Sequence, residues 1–101
     1  MRSSLMTIPN DHPSLSGHFP NEPIVPGVVI LDTVIRFAQQ GSFRVTGIEN
    51  VKFKAPLHPD APFHVELSPY PGRVDFRVVT GNTPLAHGTL RCRDRVASEP
   101  K

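Results

Sequence analysis

The chain contains no tryptophan, one tyrosine and one cysteine among its 101 residues. With Cys92 alone no internal disulfide is possible, which fits a reducing compartment. The shortage of Tyr and Trp removes the aromatic platform on which single-stranded nucleic acids stack. A formal charge of only +2 would support nucleic-acid binding only if the basic residues were gathered on one face. No apolar run approaches the ~18–20 residues of a membrane span. The opening Met1-Arg2-Ser3-Ser4-Leu5-Met6 lacks the apolar core of a secretion signal, so a cytoplasmic protein is expected. There are no internal repeats or low-complexity segments. One domain covering 1–101 is therefore expected, with 96–101 as a loose tail. A chain this short buries somewhat over ~60 % of its unfolded surface, so a partner would help it.

Proline, by contrast, is abundant, and it is placed informatively. Pro20, Pro23 and Pro26 hold the chain extended or turned until Pro26, whose fixed φ and missing N–H suit the first helical position. A helix is expected to begin close to Gly27. Val28, Leu31, Val34, Ile35 and Ala38 then recur at helical spacing, and Gly41 follows as the C-terminal cap. This reads as one central, largely buried helix.

Asp32 lies about two turns into that helix, too far to cap its free N–H groups. Two readings of it stand side by side. One is an i,i+4 pair with Arg36, worth roughly 0.2–0.5 kcal/mol on an exposed face. The other is a carboxylate held in a pocket to handle protons, with Leu31 and Ile35 as apolar neighbours.

The rest of the chain reads as strands. Ser4 to Ile8 is expected to form a short first strand, followed by a polar loop from Pro9 to Ser16. Ser42 to Lys54 carries β-branched and aromatic residues with an irregularity expected at Gly47. Turns are expected at Pro56 to Pro62 and at Pro69 to Gly72. Between them Phe63, Val65 and Leu67 alternate with polar residues. Val74, Phe76 and Val78 alternate again up to the hairpin signal Gly81-Asn82, and Leu85 to Arg95, with Cys92 as a strand residue, supplies the last strand. The fold class is α+β: an antiparallel sheet of about five strands, one face covered by a single helix.

Several single residues carry bland readings. Arg91, Arg93 and Arg95 alternate along one strand and Lys52 and Lys54 along another, as solvated strand faces do. His12, His58, His64 and His87 have no metal-ligand spacing with one another or with Cys92, so no metal site is expected. Ser14 and Ser16 have no nucleophile-elbow context.

One stretch is different. Gly17-His18-Phe19-Pro20-x-x-Pro23-Ile24-x-Pro26-Gly27-Val28-x-x-x-Asp32 resembles the active-site segment of the 3-hydroxyacyl-[acyl-carrier-protein] dehydratases of bacterial fatty acid synthesis. The resemblance continues through Asn50-Val51-Lys52-Phe53-Lys54-Ala55-Pro56-Leu57-His58-Pro59-Asp60, similar to the family's long strand and its closing turn, and covers roughly Asp11 to Arg93. The Asp-His-Pro opening and the Pro-Gly-Val-Val-x-Leu-Asp helix start are similar to the small stand-alone dehydratases of aryl-polyene or xanthomonadin-type pigment assembly. Arg36 departs from the pattern, standing where the fatty acid enzymes usually have a glutamine.

The resemblance implies a hot-dog fold, a sheet wrapped around a central helix, assembled as a homodimer with the active site at the interface. It implies that His18 and Asp32 form the catalytic pair, one from each subunit, and that the substrate is a thioester carried by acyl carrier protein or coenzyme A. An acidic carrier would also give the Lys and Arg strand faces a docking role. No metal or organic cofactor is implied, and no nucleic-acid or membrane partner. In the implied reaction His18 takes the C2 proton, Asp32 helps the C3 hydroxyl leave, and Gly27 with Val28 beside it offers free helix-start N–H groups to the thioester oxygen. Phe19 and Pro20 fix the His18 backbone and line the acyl pocket. Two other readings stay open: a hot-dog thioesterase using Asp32 to direct water, and a non-catalytic acyl or carrier-protein binding module in which Arg36 locks Asp32.

Overall fold

The computed structural model describes residues 2–9, 24–41 and 43–93. Pro26 is the N-cap of the helix, with φ −60° and ψ 145°, and α1 covers Gly27–Gln40. Pro26 thus stands one position before the first helical residue, because its ψ is still extended. At the other end Gly41 closes the helix, its N–H donating to the carbonyl oxygen of Ala38 at 3.0 Å.

Four strands follow: β1 (Arg44–Phe53), β2 (His64–Tyr70), β3 (Arg73–Thr80) and β4 (Thr83–Arg93). They form one antiparallel sheet in the order β1-β4-β3-β2. α1 lies against β1 and β2, the two outer strands, so the sheet curls around the helix. Val29, Ile30, Val34 and Ala38 of α1 pack into a core with Val65, Leu67, Val74, Phe76, Val78 and Leu90 from the sheet. The alternation expected along β2 and β3 is present, inward apolar residues being flanked by outward polar ones until a register shift at Val78 and Val79, which are both buried.

The expected fifth strand is not formed. Ser4 to Ile8 belongs to a segment that meets the sheet at only two isolated bridges, Arg2 to Glu66 and Met6 to Phe63. The segment still closes the outer side of β2. The Ser3 N–H donates to the Val65 carbonyl oxygen at 2.8 Å, the Val65 N–H donates back to the Ser3 hydroxyl, and Arg2 and Arg77 both grip Glu66 at 2.7 Å. β1 has no such cover among the described residues and is the open edge of the sheet.

Other boundaries shift modestly. β2 runs through Pro69 to Tyr70, because Tyr70 pairs with Arg73 across the tight Pro71-Gly72 turn, where Gly72 has φ 78°. β4 begins at Thr83. Lys54 falls just past the end of β1, while Arg95 and the expected tail lie outside the described residues. The irregularity expected at Gly47 is there, between Val45 and Gly47, and a second lies between Glu49 and Lys52, around Asn50 with φ 58°. No described helix is long and apolar enough to cross a membrane.

Candidate active site

The start of α1 is chemically bare. The first N–H groups to be satisfied are those of Val29 and Ile30, which donate to the Pro26 carbonyl oxygen at 3.0 and 3.3 Å. Among the described residues nothing accepts from the N–H of Gly27 or Val28, no side chain caps the helix, and its first turn holds no acid. Two donors at the positive end of a helix therefore face outward without a protein partner.

Beside them opens a cleft of about 450 Å³, lined mainly by apolar groups of Ile24, Val25, Ile30, Phe53 and Leu57. The Phe53 ring presses on Gly27 so closely that a β-carbon there would lie 2.7 Å from its Cζ. Glycine is needed at this position for that contact. The ring is itself 49 % exposed, so its outer half is free to meet a ligand. Phe53 was not singled out as a site residue from the sequence, although its place in Lys52-Phe53-Lys54 was the available signal.

The buried face of α1 is only in part the one the apolar spacing suggested. Val28 is 72 % exposed instead of joining the core, because the buried stripe is set by Ile30, Val34 and Ala38. Leu31 and Ile35 are half-buried. Val28, Asp32 and Arg36 recur every four residues and form an outward stripe running from the bare helix start. On it Arg36 Nε donates to Asp32 Oδ2 at 2.8 Å, with the Asp32 side chain 59 % exposed. In the single chain the i,i+4 pair is formed and Asp32 is not enclosed by apolar neighbours. His18, Phe19 and Pro20 lie outside the described residues.

A second groove, of about 580 Å³, lies on the outer face of the sheet, lined by Lys52, Glu66, Asp75, Arg77 and His87 among others. Most of the charges of this face pair with one another: Arg77 with Glu66, Arg73 with Asp75, and Arg91 with Glu49. These two arginines beside Glu66, Arg77 above all and then Arg2, hold its carboxyl below the usual carboxylate range. Burial pushes the Cys92 thiol up. Neither residue adjoins the bare helix start. The smaller cleft is the one that joins an apolar wall to unpaired donors, and it is the better candidate for chemistry.

A model of ApeI-like dehydratases matches residues 2–89. The chain belongs to this family. Curated relatives named 3-hydroxyacyl-[acyl-carrier-protein] dehydratase FabZ include one from Thermus thermophilus, 30 % identical over a 67-residue alignment that covers 55 % of this chain and 47 % of that protein. Another, from Actinobacillus succinogenes, is 33 % identical over 67 residues, covering 55 % of this chain and 45 % of its own length. The chain thus spans about half the length of the curated relatives it matches. Among solved structures it is similar to the dehydratase heterocomplex ApeI:P from Xenorhabdus doucetiae, with TM-score 0.75 and 24 % identity over 92 % of this chain and 95 % of that one. An uncharacterised protein from Erwinia carotovora is similar at TM-score 0.73 and 21 % identity, over 97 % and 95 %. The fold of this ApeI-like chain is accordingly the hot-dog fold, built here with four strands where about five were expected.

Proposed function

We propose that this ApeI-like protein removes water from a 3-hydroxyacyl thioester carried by acyl carrier protein, giving the trans-2-enoyl thioester. The observation that carries the proposal is the pair of unpartnered N–H groups, Gly27 and Val28, opening onto an apolar cleft one turn before Asp32. Loss of the C2 proton places negative charge on the thioester oxygen, and an imidazole is too weak a base to drive that step unaided. Two donors at a helix start, already aimed outward, stabilise such an oxygen with no reorganisation.

The roles divide as follows. His18 accepts the C2 proton. The C2–H electron pair becomes the C2=C3 double bond as the C3–O bond breaks with its own pair, and the departing hydroxyl takes up the proton that His18 received, leaving as water while the Asp32 carboxylate orients it. Gly27 and Val28 hold the thioester oxygen, while Phe19, Pro20 and the cleft walls hold the acyl chain.

A homodimer belongs to the same reading. β1 is the uncovered edge of the sheet, and the apolar residues exposed around it are Val28, Ile48 and Phe53. Pairing of that edge with a second copy would bury them and close the cleft from the outside. The name of the Xenorhabdus complex points to hetero-assembly in that relative, so the partner is to be tested as well.

The test is conversion of a 3-hydroxyacyl-carrier-protein by the wild type, His18→Ala and Asp32→Asn, read by mass spectrometry. Loss of water with the wild type alone supports the reaction and both roles. Free thiol released in place of water makes the protein a thioesterase. Binding without either product makes it an acyl-carrier module, which the Asp32–Arg36 pair would suit.

A further inference from the structure

We infer that Arg36 is a positioning residue, fixing the Asp32 carboxylate so that one oxygen is held and the other is presented to the substrate. The inference rests on the dehydratase reading above. Its starting point is the geometry of the pair: Arg36 Nε meets Asp32 Oδ2 at 2.8 Å, and no described residue donates to Oδ1. The contact is made through Nε, whose N–H has a fixed direction in the guanidinium plane, so it orients the carboxylate as well as attracting it.

The surroundings explain why such a device is needed. Asp32 sits on an exposed stripe of α1, with Val28 one turn before it and Arg36 one turn after. The half-buried Leu31 and Ile35 flank the stripe without offering a hydrogen bond. An aspartate in such a place turns freely about its two side-chain bonds unless something holds it. Arg36 is the one described side chain that does. A carboxylate that must meet a hydroxyl within hydrogen-bond reach gains most from being held before the substrate arrives.

The same geometry says which property of Arg36 matters. If it acts by donating a directed hydrogen bond, glutamine at the same i+4 spacing can replace it, since Gln–Asp pairs form at this spacing on helices. If it acts only as a positive charge, lysine would be the better substitute and glutamine would fail.

The experiment compares wild type, Arg36→Ala, Arg36→Gln and Arg36→Lys for turnover of a 3-hydroxyacyl-carrier-protein, each also in an Asp32→Asn background. Thermal unfolding of every variant reports folding. The expected result is a fall in kcat of about tenfold or more for Arg36→Ala with KM within about twofold, and recovery to within about threefold of wild type by Arg36→Gln but not by Arg36→Lys. In the Asp32→Asn background, Arg36→Ala should change kcat by less than about twofold, because its route to the reaction is already gone. Wild-type kcat in Arg36→Ala, rescue by lysine alone, or an undiminished effect in the Asp32→Asn background would each overturn the inference. A readout without turnover is the Asp32 χ1, from NMR couplings: one rotamer in wild type and averaging in Arg36→Ala support the inference, and averaging in wild type overturns it. Absence of dehydration by a wild type with a fixed Asp32 would instead count against the dehydratase reading, and the inference would fall with it.

Discussion

Gly88 of β4 packs against the ring of Phe76, its partner on β3, so closely that a β-carbon would meet Cε2 and Cζ at 2.9 Å. Phe76 is buried in the core, and Val51 Cγ2 closes the same space at 3.0 Å, so neither neighbour can retreat easily. Gly88→Ala should therefore overpack the sheet and cost about 1–3 kcal/mol, a fall in Tm of several degrees. Gly27 makes an even shorter contact, with Phe53, but that ring is half exposed and free to swing outward. Gly27→Ala should accordingly leave stability within about 1 kcal/mol of wild type while cutting dehydration severely, because the displaced ring reshapes the cleft over the two free donors. Urea titration and turnover of both variants separate the cases. Equal stability losses for the two would refute the distinction.

Glu66 joins the N-terminal segment to the sheet through Arg2 and joins β2 to β3 through Arg77. Those two guanidinium groups lower its pKa from the ordinary value of 4.5. A lowered carboxyl contributes stability that is present above the unfolded-state pKa and is lost as pH falls through the folded-state pKa. Wild type should thus exceed Glu66→Gln in unfolding free energy by about 1 kcal/mol near neutral pH, the gap narrowing below about pH 4.5 and closing in stronger acid. Urea midpoints of both proteins across that range check it, and a gap that widens toward low pH would have the wrong sign.

Ser3 is buried where it crosses the outer side of β2, and its hydroxyl accepts from the Val65 N–H at 2.8 Å while donating to the Ser4 carbonyl. Ser3→Ala would leave the Val65 N–H without that acceptor, at a cost of about 1–2 kcal/mol. Because backbone pairing of this segment with the sheet is limited to two isolated bridges, the loss should appear first as faster amide exchange at Val65 and Phe63, before global stability falls. Unchanged exchange there would mean that the segment is held by other contacts.

What was legible in the sequence follows from how local each determinant is. The start of α1 was readable because Pro26 and Gly27 act within their own turn, and the β3 and β4 hairpin because Gly81-Asn82 does. The N-terminal strand was over-read, since two bridges to β2 depend on the distant Glu66 and Phe63 and leave no alternating pattern behind. Val28 was assigned to the core by its spacing, but which stripe of α1 faces inward is decided by the sheet. In the candidate site, Gly27 and Val28 were readable as free donors, whereas the Phe53 ring over Gly27 is a contact between the first residue of α1 and the last of β1, elements whose packing no local signal announces. Asp32 with Arg36 was legible as one of two readings, and in the single chain the pair is formed.

The open edge of β1 gives the last test. Ile48 sits across from Leu90 in the ladder, on the inner side of the sheet, yet it is partly exposed because no strand among the described residues pairs with the outer edge of β1. If a second copy pairs with this edge, Ile48 is buried by it, and Ile48→Lys would force a charge into the interface. The variant should sediment at half the mass of wild type, keep its circular dichroism spectrum, and lose dehydration, because the residues of one cleft then lack their partners from the other subunit. Mixing it with Asp32→Asn protein should not restore turnover, since the lysine-bearing edge still cannot pair. A monomeric wild type with full turnover, or an Ile48→Lys protein that remains paired and active, would move the site inside a single chain and leave the β1 edge without a role.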